Sequence, residues 1–371
     1  MRHLLGISGG KDSAALAVYM AQNFPEINVE YYTCDTGKEL KETYDLIERL
    51  ESVLGKKIVK YENYNSDLST ESNAFDHFLS SYGNYLPSAQ ARWCTKKLKL
   101  EPFELNISDK PTISYVGIRG DENREGYISK KENIQTIFPF RRNIWSGDVI
   151  DLIFSPKYFG YFKDHFLSNT PVNEYQICKQ VLDEELTQIY TLQLKLERVL
   201  DLNLVRFNHA VHSVLKLTNY PIGQLEVYPL LNKTEILRID DIYKILEESG
   251  VGIPAYYLPV DFEIEIDGEI KKGTYSRSRS GCFFCFYQQK IEWVWLLEQH
   301  PELFRQAKEY EKDGFAWSEE PLIELERPER VKQIKKDYII RNERKNKLKS
   351  SVNWKDEILN SEGYGCSTCF I

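Results

Sequence analysis

Ser8-Gly9-Gly10-Lys11-Asp12-Ser13 gathers two glycines, two hydroxyls, a cation and a carboxylate into six residues near the N-terminus. Glycine lets a backbone approach a ligand closely and adopt positive φ. A helix starting there would offer unpaired N–H groups and the positive end of its dipole. Ser8 and Ser13 add hydroxyl donors, and Lys11 adds a fixed charge. Such a set suits the cradling of a pyrophosphate. The glycine–lysine order and spacing of a Walker loop are missing. A plain glycine turn with a polar helix cap is the alternative.

The cysteines form a second constellation: Cys34, Cys94, Cys178, Cys282, Cys285, Cys366 and Cys369. An odd number argues against a full set of disulfides. Two C-x-x-C pairs point to metal or sulfur chemistry. Thiolates at the spacing of Cys282 and Cys285 ligate one metal or one iron–sulfur cluster. Cys94, beside Lys96 and Lys97, could join them. A four-cysteine zinc site built from the two pairs, free thiols, or a persulfide carried on a thiol are the other readings. Cys34 and Cys178 read as small buried residues. The aromatic run Trp293, Trp295, Phe304, Tyr310 reads as packing.

The elements that must position these groups alternate. Short apolar runs at 3–7, 28–33, 57–61 and 112–118 read as strands, and helical spacing follows Ser13 and runs over 40–54. Strands separated by helices imply a parallel sheet. Asp35 then falls at the C-terminal end of the second strand, where ligands bind in such sheets. It could hold Mg²⁺ through water or orient a ribose; capping the next helix is the alternative. Arg119 and Arg124 suit phosphate contacts, with surface arginines in a turn as the alternative.

The middle reads as helical. The stretch 173–202 is expected to be a long helix within an insertion at 155–225, and 240–249 a short helix that Gly250 ends. An aromatic-rich helix over 288–310 should break at His300-Pro301. Ten of the 48 Lys and Arg but three of the 56 Asp and Glu fall in 327–349, so the rest of the chain is 15 charges negative. A mostly acidic body with one basic segment does not resemble a dedicated nucleic-acid coat, and that segment could form an exposed helix. With 42% hydrophobic residues among 371 the chain can build a core, and no apolar run reaches the roughly 18 residues of a membrane span. The N-terminus reaches glycine and lysine too soon for a signal-peptide core, so a cytoplasmic protein is expected.

Beyond the loop, three further stretches carry a resemblance. Ser8–Ser13 resembles the PP-loop of the adenine nucleotide α-hydrolases, the ATP pyrophosphatases. Cys34-Asp35-Thr36-Gly37 with Glu42-Thr43, Arg92-Trp93-Cys94-Thr95 and Gly117–Arg124 resemble segments of the phosphoadenosine phosphosulfate reductase branch. The likeness covers about 1–140 and resumes over 228–312, through Tyr228-Pro229-Leu230, Asp240-Asp241-Ile242 and Gly281–Cys285. It implies an α/β fold: a parallel, Rossmann-like core with a helical insertion and a helical C-terminal part. The implied division is a nucleotide-binding domain over 1–150, the insertion at 155–225, a return to the core at 226–312, and a basic segment at 313–371 ending in C-x-x-C.

The resemblance implies ATP and Mg²⁺ as cofactors, bound through Ser8, Gly9, Gly10, Lys11, Asp12, Ser13, Asp35, Gly37, Arg119 and Arg124. Lys11, Asp35 and Arg119 are the implied catalytic residues. It also implies a [4Fe–4S] cluster on Cys94, Cys282 and Cys285, with Cys366, Cys369 or Cys34 as fourth ligand and zinc as the alternative. Trp93 stands where such clusters draw a further Cys. No E-C-G motif of the reductases is found. The chain most resembles the ATP-pyrophosphatase subunits of DNA phosphorothioation systems (DndC/SspD type). The implied function is adenylation of an acceptor for sulfur insertion, with a cysteine desulfurase and DNA, or DNA-bound subunits, as partners. A phosphoadenosine phosphosulfate or adenylylsulfate reductase is the alternative.

Overall fold

The structure is a computed structural model that describes residues 1–62, 73–107, 109–122, 124, 126–129, 131–266 and 268–349. Cys366 and Cys369, candidates for the fourth cluster ligand and half of the alternative zinc site, lie outside the described residues.

Five strands form a parallel sheet: β1 (Arg2–Gly6), β2 (Val29–Thr33), β3 (Ile58–Lys60), β4 (Thr112–Tyr115) and β5 (Ile134–Ile137), in the order β3-β2-β1-β4-β5. His3 lies opposite Ile113 and Leu5 opposite Tyr115. Leu4, Leu5, Ile113 and Tyr115 are fully buried, as strands covered on both faces require. The first two helices, α1 (Lys11–Asn23) and α2 (Lys41–Leu54), fall where the apolar spacing places them. Gly55, at φ +61°, ends α2 in the left-handed conformation that glycine adopts without strain.

The chain divides into two compact units that do not follow chain order. One holds 1–6, 15–30 and 107–242; the other holds 7–14, 31–106 and 243–349 of the described chain. In the first, Phe162 of one helix (Phe159–Ser168) packs on Phe166 of the same helix and on Phe207 of another (Leu204–Leu215). The expected single helix over 173–202 is two, Val172–Asp183 and Leu192–Leu202. The break has its own hydrogen bonds. Thr187 Oγ1 accepts from the Ile189 and Tyr190 amides, Thr191 caps the second helix, and the buried Lys195 ammonium takes the Leu182 and Glu184 carbonyls.

The second unit contains a hairpin that sequence reasoning did not anticipate, β6 (Val260–Ile266) paired with β7 (Glu269–Tyr275). Phe262, Ile264 and Ile266 point inward while Asp261, Glu263 and Glu265 are exposed, the alternation of a half-buried strand. The aromatic-rich stretch does break at His300, into Lys290–Gln299 and Pro301–Glu309. The basic helix Pro328–Lys349 is less exposed than expected. Ile334 and Ile339 are buried, Arg330 makes a fork with Glu320 at 2.6 and 2.8 Å, and Lys335 pairs with Glu298 at 2.6 Å over the Phe262 and Tyr275 rings. Lys332, Arg341 and Arg344 are the cations that face solvent among the side chains described for 331–344, apart from the half-buried Lys336. No helix among the described residues is long and apolar enough to cross a membrane.

Candidate functional site

The loop after β1 delivers the chain to α1, whose first residue is Lys11. Gly9 takes φ +71°, and a Cβ there would collide with the Thr43 methyl on α2. A Cβ on Gly10 would lie 2.6 Å from Ser280 Oγ and 3.2 Å from the Tyr257 hydroxyl. Side-chain-free backbone is therefore a packing requirement at both positions. Tyr256 donates its hydroxyl hydrogen to the Gly9 carbonyl at 2.8 Å. The Ser8 amide donates to Ser13 Oγ, which in turn donates to the Gly10 carbonyl, each at 3.2 Å. Lys11, Asp12 and Ser13 are all buried; Lys11 Nζ pairs with Asp12 Oδ2 at 3.2 Å and sits 4.8 Å from the Tyr257 ring centre. The result is a small-residue loop at a helix N-terminus with a buried cation beside it, the arrangement that binds phosphate.

The segment after β2 is the second wall. Asp35 Oδ1 accepts from the Gly37 amide at 2.7 Å and from the Tyr44 hydroxyl at 2.9 Å, while Oδ2 faces Lys60 at 3.2 Å. Asp35 thus closes the turn at Gly37, whose φ is +74°. It does not cap α2, whose N-cap is Leu40. Both Asp35 oxygens are thus engaged, Oδ2 by a half-exposed lysine. Thr36 Oγ1 lies 3.2 Å from Cys282 Sγ and donates to Glu39 Oε1 at 3.1 Å.

Cys94, Cys282 and Cys285 line one cavity of about 50 Å³ whose walls include Phe75, Phe284 and Trp317. Burial, and then the Glu39 carboxylate, push the Cys282 thiol well above its ordinary range. Burial also raises Glu39. A thiolate at Cys282 is therefore unfavourable without a compensating charge, and three soft donors on one apolar cavity have the chemistry to take a metal or an iron–sulfur cluster. Among the described residues, no three His, Cys, Asp or Glu side chains converge closely enough to hold a metal. Trp93 stacks on Phe75 and donates its indole N–H to the Tyr85 carbonyl, so it serves packing.

The remaining expected residues lie elsewhere. Cys34 is buried, its thiol donating to the Lys99 carbonyl at 3.6 Å, and Cys178 is buried inside the helix Val172–Asp183. Arg119 and Arg124 belong to the other unit. Arg119 is ion-paired to Asp121 and Glu122, each at 2.9 Å, and Arg124 to Glu122 at 2.8 Å. These arginines meet the carboxylates of their own segment. The residues missed from sequence are Tyr256, Tyr257 and Ser280, which clamp the loop together with Thr43 of the Glu42-Thr43 pair. The one signal for them was the tyrosine pair and the serine–arginine run just before Cys282.

Residues 2–254 match the phosphoadenosine phosphosulfate reductase domain. An uncharacterized protein of Methanocaldococcus jannaschii is 29% identical over a 148-residue match that covers 36% of this chain. The match spans 28% of that relative's length.

The thiol of Cys34 is pushed up to about 12 by burial. At pH 8 its thiolate fraction is then about 10⁻⁴. Native protein treated with iodoacetamide at pH 8 should leave Cys34 unmodified by peptide mass spectrometry, and unfolding in urea should expose it. Rapid labelling in the native state would contradict its placement.

Proposed function

We propose that this chain, which belongs to the phosphoadenosine phosphosulfate reductase domain family, is an ATP pyrophosphatase that adenylates an acceptor for sulfur insertion. The observation that carries this reading is the loop Ser8–Ser13, a glycine turn closed onto the N-terminus of α1 with Lys11 buried against it. An acceptor oxygen attacks the α-phosphorus, the α–β anhydride bond breaks, and pyrophosphate leaves. Lys11 and the first N–H groups of α1 offset the charge that develops on it. The outer sulfur of a persulfide then displaces AMP, and a second thiol reduces the S–S bond that remains.

The sequence motifs favour a DNA phosphodiester as acceptor and a cysteine desulfurase as sulfur donor. Lys332, Arg341 and Arg344 are exposed cations suited to its phosphates. Co-expression with a cysteine desulfurase, followed by nuclease digestion and mass spectrometry, should detect sulfur-containing dinucleotides; their absence counts against DNA. Cys94, Cys282 and Cys285 would have to draw closer together around their shared cavity to hold a [4Fe–4S] cluster, which would supply an iron centre with affinity for sulfur. Zinc is the alternative, and iron and sulfide analysis separates the two. Mg²⁺ would arrive on the ATP phosphates. The thiols around one apolar cavity also favour a second reading, a reductase of phosphoadenosine phosphosulfate or adenylylsulfate. Thioredoxin-dependent sulfite release would select it.

With ATP as substrate, chromatography should find AMP and pyrophosphate as products. Lys11→Ala should slow the reaction by roughly 10²–10³-fold. ADP and phosphate as main products would overturn the assignment.

A further inference from the structure

We infer that Arg277 anchors a phosphate group of the nucleotide at the Ser8–Ser13 loop, an inference that rests on the nucleotide site proposed above. Arg277 lies beyond residue 254, where the family match ends. Its side chain is 1% exposed, yet Nε and Nη1 have no hydrogen-bond partner. Only Nη2 donates, to the Cys282 carbonyl at 3.1 Å. None of the ion pairs formed by the described residues involves it. Glu39 and His300 feel its charge from longer range, and the Tyr256 ring centre lies 5.9 Å from the guanidinium carbon. A guanidinium does not give up its proton, so burying one with no carboxylate in ion-pair contact is costly. Two buried nitrogens without acceptors add the desolvation penalty of orphaned donors.

The position of this charge identifies what would neutralise it. The Arg277 amide donates to the Tyr256 carbonyl at 2.8 Å, and the Tyr256 hydroxyl donates to the Gly9 carbonyl. Three residues further on, Ser280 is the side chain that leaves Gly10 no room for a Cβ. Arg277 is therefore tied to Gly9 through Tyr256, lies three residues before the side chain that borders Gly10, and carries a buried cation with open donors. Lys11, by contrast, is already paired with Asp12. An oxyanion beside the loop would satisfy the Arg277 nitrogens and its charge together, as charge-assisted hydrogen bonds to phosphate do.

Isothermal titration of the full chain with ATP, inorganic pyrophosphate and adenosine tests this. Arg277→Met should weaken ATP and pyrophosphate binding by about 10- to 100-fold, and Arg277→Lys by about 10-fold, with adenosine affinity unchanged. If the wild type binds ATP and both variants match it, Arg277 is not an anchor, while the nucleotide site stands. Equal losses for adenosine and ATP also overturn the inference, leaving Arg277 a purely structural residue. If the wild type binds no ATP, the nucleotide site itself fails, and the inference with it. Should Arg277→Met not fold, the ratio of pyrophosphate to adenosine affinity in Arg277→Lys decides.

Discussion

At Gly9 and Gly10 the polypeptide has no space for a side chain. Thr43 closes on one glycine, Ser280 and Tyr257 on the other, and Tyr256 holds the carbonyl between them. Residues some 30 and 250 positions away in the chain thus converge on two peptide units. That convergence fixes the direction in which α1 begins, and with it the place where its N–H groups, Ser13 and Lys11 present themselves. An alanine at Gly9 would meet both the Thr43 methyl and a backbone conformation that L-residues rarely adopt. The glycine pattern is therefore enforced by packing as well as by ligand approach.

Much of this was legible beforehand. The runs at 28–33, 57–61 and 112–118 became strands because β-branched and aromatic residues cluster there, and each strand came out a little shorter than its apolar run. The loop was legible because glycine, hydroxyl and lysine cluster locally. The hairpin Val260–Tyr275 carries a clear signal too, alternation over Val-Asp-Phe-Glu-Ile-Glu-Ile, which lies between the family motifs rather than in one. The clamp of Tyr256, Tyr257 and Ser280 was not legible. Their partners lie about 250 residues away, and no local period encodes such a contact. The gap between the helices Val172–Asp183 and Leu192–Leu202 was hidden for a different reason. No glycine or proline marks it, and threonine hydroxyls and one buried lysine satisfy the backbone instead.

The charged residues show how context redirects a motif. Asp35, Arg119 and Arg124 have the side chains that phosphate and metal chemistry needs. In this structure Asp35 closes a turn and the two arginines build an ion-pair cluster, which leaves their phosphate chemistry in place. Cys282 shows the opposite case. Its thiol is held by Thr36 in a greasy cavity shared with Cys94 and Cys285, where burial keeps it protonated. Such a thiol gains the most from a partner that brings positive charge, because that partner removes the cost of ionisation.

The central claim is that the loop directs attack to the α-phosphorus of ATP. Turnover in ¹⁸O-labelled water without an acceptor tests it directly, with water taking the acceptor's place and ³¹P NMR locating the label. The account predicts ¹⁸O in the phosphate of AMP and none in pyrophosphate. Label in inorganic phosphate, with ADP as the other product, would contradict it.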